Sequence, residues 1–177
     1  AIPKKNKNIA VIPSNVIHLV NDGDLQLKVN PDGACAFNSG AAHTLQDQKY
    51  GPELRKLTNK HILENWAFYK KKIAFPYTRQ VGVSGETVSF GTGEEAKFLK
   101  FLESEKAAFL WADSEDLQAL ANFAEMRIKI ITITDDSDKN PTVNFIGPDP
   151  ELKDFSLLPE GIVPDMVLLH YNQVHYN

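Results

Sequence analysis

The run from Arg127 to Thr134, RIKIITIT, sets the tightest limit on how this chain folds. Ile and Thr dominate it, and β-branched side chains lose rotamer freedom in a helix but pack well on a pleated sheet. A strand this apolar needs neighbours. The loop DDSDKNP follows it, Thr142 to Ile146 reads as a partner strand, and Met166 to Tyr171 reads as another strand. Asn172-Gln173 then makes a turn before a last extended piece, Val174 to Asn177. The first half has a different period. CAFNSGAAHTL, beginning at Cys35, has helical composition despite Gly40. Pro52 suits the first position of a long helix reaching Ile73, with Leu54, Leu57, Ile62, Trp66 and Tyr69 at inward spacing. Thr92 and Glu95 have capping-box spacing and should open a helix that turns Phe98, Leu99 and Leu102 inward. A third helix follows Asp113 and buries Leu117, Leu120 and Ala121. Short β-prone runs, Ile9–Val11, Val16–Val20 and Leu25–Val29, stand at the front. Helices early and strands late predict an α+β (mixed α/β) fold. At 177 residues the chain fits one domain over 1–177, in which 1–24 is an N-terminal extension.

Bulk composition excludes several classes. Apolar residues are 42% and charged residues 24%, the balance of a globular chain, so wholesale disorder is not expected. No apolar run approaches the roughly 18 residues of a membrane span. AIPKKNKNIAVIPSN, interrupted by prolines, makes a poor signal peptide. The formal charge is −4, and the one basic cluster, Lys70-Lys71-Lys72, falls at a helix end where it complements the dipole. Neither a nucleic-acid nor a membrane partner is expected.

The chain has a single cysteine, Cys35. It forms no internal disulfide and builds no Cys-rich zinc module, which suits a reducing compartment. A lone cysteine is most often inert and buried. Its position argues otherwise: Asn30-Pro31-Asp32-Gly33 is a turn, and Cys35 opens a helix. Helix-start N–H groups and the dipole favour a thiolate, and the same N–H groups can bind an oxyanion. Gly33 permits close backbone approach, and Asp32 can hold the loop by accepting from nearby amides. An ordinary turn with a buried cysteine remains the rival reading. A base is also needed. Of the five histidines, His43 and His61 fall in helical stretches and His18 in a β-prone run. His170-Tyr171-Asn172 and His175-Tyr176-Asn177 repeat the same triplet, and in each an Asn two residues on lies on the histidine's side of a strand. That Asn can accept the imidazole Nδ1–H and fix the tautomer. On these grounds the two histidines stand level. HYNQVH superficially suggests a zinc site, but no further ligand cluster accompanies it, so neither metal nor organic cofactor is expected.

Pro31-Asp32-Gly33-Ala34-Cys35-Ala36-Phe37 resembles the Asp-Gly-x-Cys-x-Phe signature of the ovarian-tumour (OTU) cysteine proteases, a family of deubiquitinases. Trp111-Ala112-Asp113 followed by Leu117-Gln118-Ala119-Leu120-Ala121 resembles the family's middle block, and Met166–Tyr171 with His175-Tyr176-Asn177 resembles its closing strand pair. The blocks run in family order from about residue 26 to the end. The resemblance implies a small central β-sheet flanked by helices, with Cys35 as nucleophile. It selects His175 over His170 as base, makes Asn177 the orienter, and makes Asp32, Gly33 and Ala34 the oxyanion loop. Ala34 departs from the Asn, Asp or Ser more usual there, which leaves backbone donors alone to bind the oxyanion.

The implied activity is isopeptide hydrolysis between ubiquitin, or a ubiquitin-like modifier, and lysine. The implied partners are ubiquitin or polyubiquitin, met by a monomer in the cytosol, or in a host cytosol for a protein of a virus, pathogen or symbiont. Two rivals use the same residues: another papain-like cysteine peptidase, and a catalytically inactive ubiquitin-binding module. Residues 76–92 have no counterpart in the family pattern. Val81 and Val83, then Val88 and Phe90, alternate around Ser84-Gly85 as an inserted hairpin. Those four are candidates for contact with the modifier's apolar patch; the rival reading packs them on the core as an edge hairpin.

Overall fold

The computed structural model describes residues 9–10, 12–20, 26–27, 33–152, 166–171 and 175–176, without the side chains of 9, 10, 26, 27 and 175. Strand β5 (Ile128–Ile133) runs through the middle of a four-stranded sheet. It pairs antiparallel with β6 (Thr142–Ile146) and parallel with β7 (Met166–Tyr171), which pairs antiparallel with β8 (His175–Tyr176). Its alternation decides what each face covers. Ile128 and Ile130 join Met166 and Leu168 under α1 (Cys35–Leu45), α2 (Gly51–Glu64) and α5 (Ser114–Ala124). Ile131 and Ile133 join Leu169 against Val16 on the other face. A third cluster gathers Ile62, Tyr69, Phe98 and Leu110 around α3 (Trp66–Tyr69) and α4 (Glu95–Leu102). The fold is α+β.

At the front, β1 (Ile9–Ala10) and β2 (Gln26–Leu27) pair antiparallel. The expected strand at 16–20 is instead a 3-10 turn over Ile17–Leu19. The backbone closes on itself there, Leu19 N–H donating to Val16 C=O at 2.8 Å, and Val16 alone drops into the core. The long helix expected from Pro52 to Ile73 breaks at Asn65. The Asn65 amide donates to His61 C=O at 2.9 Å, so the side chain competes with helix continuation, and a four-residue helix restarts at Trp66. Leu57, read as inward, is 49% exposed. The Thr92–Glu95 capping box does not form; Glu94 Oε1 accepts from Gly91 N–H at 2.8 Å instead. The box forms at α5, where Asp113 and Asp116 satisfy each other's backbone amides. Gly40 does not break α1: a Cβ there would lie 3.2 Å from Leu54 Cδ2 and 3.4 Å from Leu120 Cδ2, so the glycine lets two helices close on the first.

A buried network ties α2, α3 and α5 together. Asn122 Nδ2 donates to Tyr69 Oη at 2.8 Å, and the same hydroxyl is hydrogen-bonded to His61 Nε2 at 2.6 Å. Burial raises the Tyr69 hydroxyl to about 12 and lowers His61, with Glu64 opposing the latter weakly. The unfolded chain therefore takes up a proton at His61 near pH 6.5, where the folded chain still resists it. Stability should be level above about pH 7, fall as pH drops through about 6.5, and level off again below the folded value. Urea unfolding between pH 5.5 and 7.5 measures this slope, and His61→Gln, which keeps an acceptor near Tyr69, should flatten it.

Candidate active site

Cys35 is the first residue of α1 and is 8% exposed. Its cap residue, Ala34, has no side chain to bind the first-turn amides, and the helix closes through Asn38 N–H to Ala34 C=O at 2.7 Å. Gly33 has φ +94°, and a Cβ there would sit 2.3 Å from Phe109 O and 2.9 Å from Gly82 N. Only glycine fits. The loop before Cys35 is thus clamped between two other segments, which are themselves joined: Gly82 N–H donates to Phe109 C=O at 3.0 Å, and Trp111 Nε1 to Gly82 C=O at 3.0 Å.

Tyr176 belongs to the same core cluster as Cys35, and its ring stacks on His170 at 4.1 Å with planes 8° apart. Burial raises the Tyr176 hydroxyl above its usual range, and the negative charges of Asp113, Cys35 and Asp116 push the same way. Tyr176 and His170 line an open cleft of about 690 Å³, together with Trp111, Asp113, Thr132 and Arg79. Arg79 Nη2 bridges Asp113 Oδ2 at 2.9 Å and Glu115 Oε1 at 3.0 Å, while burial raises Glu115.

The sequence-derived site residues are distributed as follows. Gly33, Ala34 and Cys35 lie together at the start of α1. His175 has its backbone in β8, opposite Tyr171; its side chain, like Asp32 and Asn177, lies outside the described residues. Hairpin strands β3 (Tyr77–Val81) and β4 (Glu86–Phe90) form as expected, Val81 opposite Glu86, turning through Gly82 at φ +74° and Gly85 at φ +69°. Val81 is 2% exposed, held in the core by a bridge to Leu110, and is not available to a partner. Val88 and Phe90 pack partly on the same cluster, whereas Val83 at the tip is 77% exposed.

Sequence reasoning missed Arg55 and its partner. Arg55 is completely buried, its Nη1 2.8 Å from Asp116 Oδ1 and its guanidinium 4.6 Å above the Phe37 ring. A signal existed: Arg55 follows Leu54 and precedes Thr58 and Ile62 on a helix's buried stripe, where a charge needs a partner.

Among the described residues, no His, Cys, Asp or Glu group is arranged to hold a metal, and no helix is long and apolar enough to cross a membrane. No family model matches the sequence, and no curated protein matches it. Solved structures do resemble the fold. The OTU domain of OTUD1 is 17% identical, with 85% of this chain and 81% of that one covered at a TM-score of 0.56. The viral OTU domain protease of Qalyub virus is 14% identical over 84% and 78%, TM-score 0.53. That of Dera Ghazi Khan virus is 13% identical over 84% and 75%, TM-score 0.52. The chain has an OTU-like fold.

Gly33→Ala should misplace the loop before Cys35. Left-handed strain of about 1–2 kcal/mol adds to the clash with Phe109, so thermal unfolding should begin several degrees earlier. Thiol reactivity of Cys35 should fall with it; a variant with wild-type melting and reactivity would mean that the clamp is loose.

Proposed function

We propose that this protein is a cysteine-type deubiquitinase that hydrolyses isopeptide bonds between ubiquitin, or a ubiquitin-like modifier, and lysine. The observation that carries this reading is Cys35 at the first position of α1, packed with Tyr176, whose other neighbour His170 opens into the cleft. The OTU-like fold supports it, because two of the neighbours are OTU domain proteases by name. The Cys35 thiolate attacks the carbonyl carbon of the modifier's C-terminal residue; a C–S bond forms and the carbonyl π pair moves to oxygen. Backbone N–H groups of residues 32–35 receive the oxyanion. Collapse breaks the C–N bond, and the lysine amine leaves with the proton that the imidazole took from the thiol. Water, deprotonated by the same imidazole, then hydrolyses the thioester. His175 is the proposed base, Asn177 its orienter and Asp32 the support of the oxyanion loop. Such a thiol works in a reducing compartment such as the cytosol.

One observation favours a second assignment of the base. His170 lies on the cleft and against the tyrosine that touches the cysteine's cluster. Single substitutions separate the two. Cys35→Ala and His175→Ala should each cut diubiquitin cleavage on the order of 10³-fold, while His170→Ala keeps most of it. The reverse ranking gives the base to His170. Ubiquitin carrying a C-terminal electrophile should form an adduct at Cys35; retained ubiquitin binding without an adduct would make the chain a binding module. A panel of linkage-defined diubiquitins reads specificity.

The exposed Val83 is the hairpin position proposed to meet the modifier's apolar patch. Val83→Ser should raise KM for ubiquitin substrates by roughly tenfold, about 1.4 kcal/mol, with melting unchanged. Unchanged kinetics would make the hairpin a brace alone.

A further inference from the structure

The fully buried Arg55 does more than fill space. Its charge meets a single carboxylate among the described residues, Asp116, at 2.8 Å, and the face of Phe37, two residues beyond Cys35 on α1. Among those residues no acceptor is hydrogen-bonded by Arg55 Nε, Nη1 or Nη2, so the contact with Asp116 is an ion pair by distance and not an aligned hydrogen bond. Asp116 itself points two ways, its Oδ2 accepting from Asp113 N–H at 2.9 Å at the rim of the cleft. The charge of Asp116 also reaches Tyr176, which feels Cys35 as well. An uncompensated carboxylate at this place would oppose a thiolate at Cys35, because like charges in a poorly solvated site disfavour each other.

We propose that Arg55 is a positioning residue for the reaction, holding the nucleophile helix through Phe37 and neutralising Asp116 so that Cys35 can ionise. The proposal rests on the reading of Cys35 as nucleophile. Among the described residues, Tyr176 from β8 feels the charges of Asp113 and Asp116 from α5 and of Cys35 itself, His170 from β7 stacks on that ring, and Arg55 from α2 pairs with Asp116. Arg79 from β3 is taken up by Asp113 and Glu115.

A helix-packing role and a charge role make different predictions of sign. The experiment is the pH profile of Cys35 alkylation by iodoacetamide on the whole chain, with folding checked by circular dichroism at each pH. Arg55→Met leaves Asp116 unbalanced and should raise the apparent thiol pKa by about one unit. Asp116→Asn keeps an oxygen for the Asp113 amide, leaves Arg55 unbalanced and should lower it by a similar amount. Removing both charges in Arg55→Met/Asp116→Asn should return the profile close to wild type, and Arg55→Lys should restore most of the shift. Shifts of the same direction in both single variants, or none in either, would overturn the proposal. If Arg55→Met fails to fold, Asp116→Asn against the double variant carries the same test, since exchanging a whole buried pair is tolerated better than breaking it. Iodoacetamide needs no ubiquitin. A wild-type chain with an ordinary thiol profile and no diubiquitin cleavage would therefore count against the catalytic reading, separately from the direction of these shifts.

Discussion

Strand β5 is buried on both faces, and the arrangement of everything else follows from that. Ile128 and Ile130 demand an apolar layer on one side, Ile131 and Ile133 on the other. The strand is also paired along both edges, antiparallel to β6 and parallel to β7. A parallel neighbour cannot be reached by a tight turn, and β5 and β7 are accordingly far apart in sequence, with β6 between them. On the helical side, α1, α2 and α5 cover the strand in one layer, and the glycine at position 40 lets them approach closely. Because α1 lies on that layer, its N-terminus has a determined height above the sheet, and Cys35 is placed by packing.

Electrostatics then completes what packing begins. A layer of three helices laid on apolar strands has little to prevent the helices from sliding along one another. The Arg55–Asp116 pair crosses that layer from α2 to α5, and the Arg55–Phe37 contact reaches α1. Breaking such a pair costs about 3–5 kcal/mol because one charge stays buried alone, whereas replacing it whole with apolar residues is often neutral. The pair is therefore weak evidence for stability; together with the Phe37 contact it links α2 to α5 and to α1 across the apolar layer. A second clamp is steric. Gly33, Gly82 and the Phe109 carbonyl meet so closely that the β3–β4 hairpin, the segment before α5 and the loop before Cys35 have to move together.

Much of this was legible in the residues. The β-branched run of β5, the helix that follows Asp113 and the helix that opens at Cys35 carry local signals that agree with their tertiary surroundings, and they form where expected. What was not legible depended on partners distant in sequence. Val16–Val20 has strand composition, yet it turns as a 3-10 helix over Ile17–Leu19, and Val16 packs with Leu169, Ile131 and Ile133. Asn65 looks like one polar residue in a helix until its amide is seen turning back on His61. Thr92 has capping spacing, but Glu94 reaches the Gly91 amide first. The four apolar hairpin positions look alike in sequence; Leu110, across the isolated bridge, is what separates buried Val81 from exposed Val83.

The position of the cleft follows from the same sheet. Residues of β5 and β7 that face the helices form successive rows: Ile128 beside Met166, Ile130 beside Leu168, then Thr132 beside His170. The first two rows are apolar and lie under the helices; the third is polar, and pairing extends it to Thr142 on one side and Tyr176 on the other. This row lies at the carboxyl ends of two parallel strands, the edge where open α/β sheets leave a crevice because the covering helices start beyond it. The change from Ile to Thr and from Leu to His happens one row past the apolar layer. There a side chain can be held by the sheet and still meet solvent. Tyr176 spans the boundary, its ring stacked on His170 and its body in the cluster of Cys35. A cysteine at a helix start and a polar row at the strand ends thereby share one residue, Tyr176, which belongs to the cluster of the first and the row of the second.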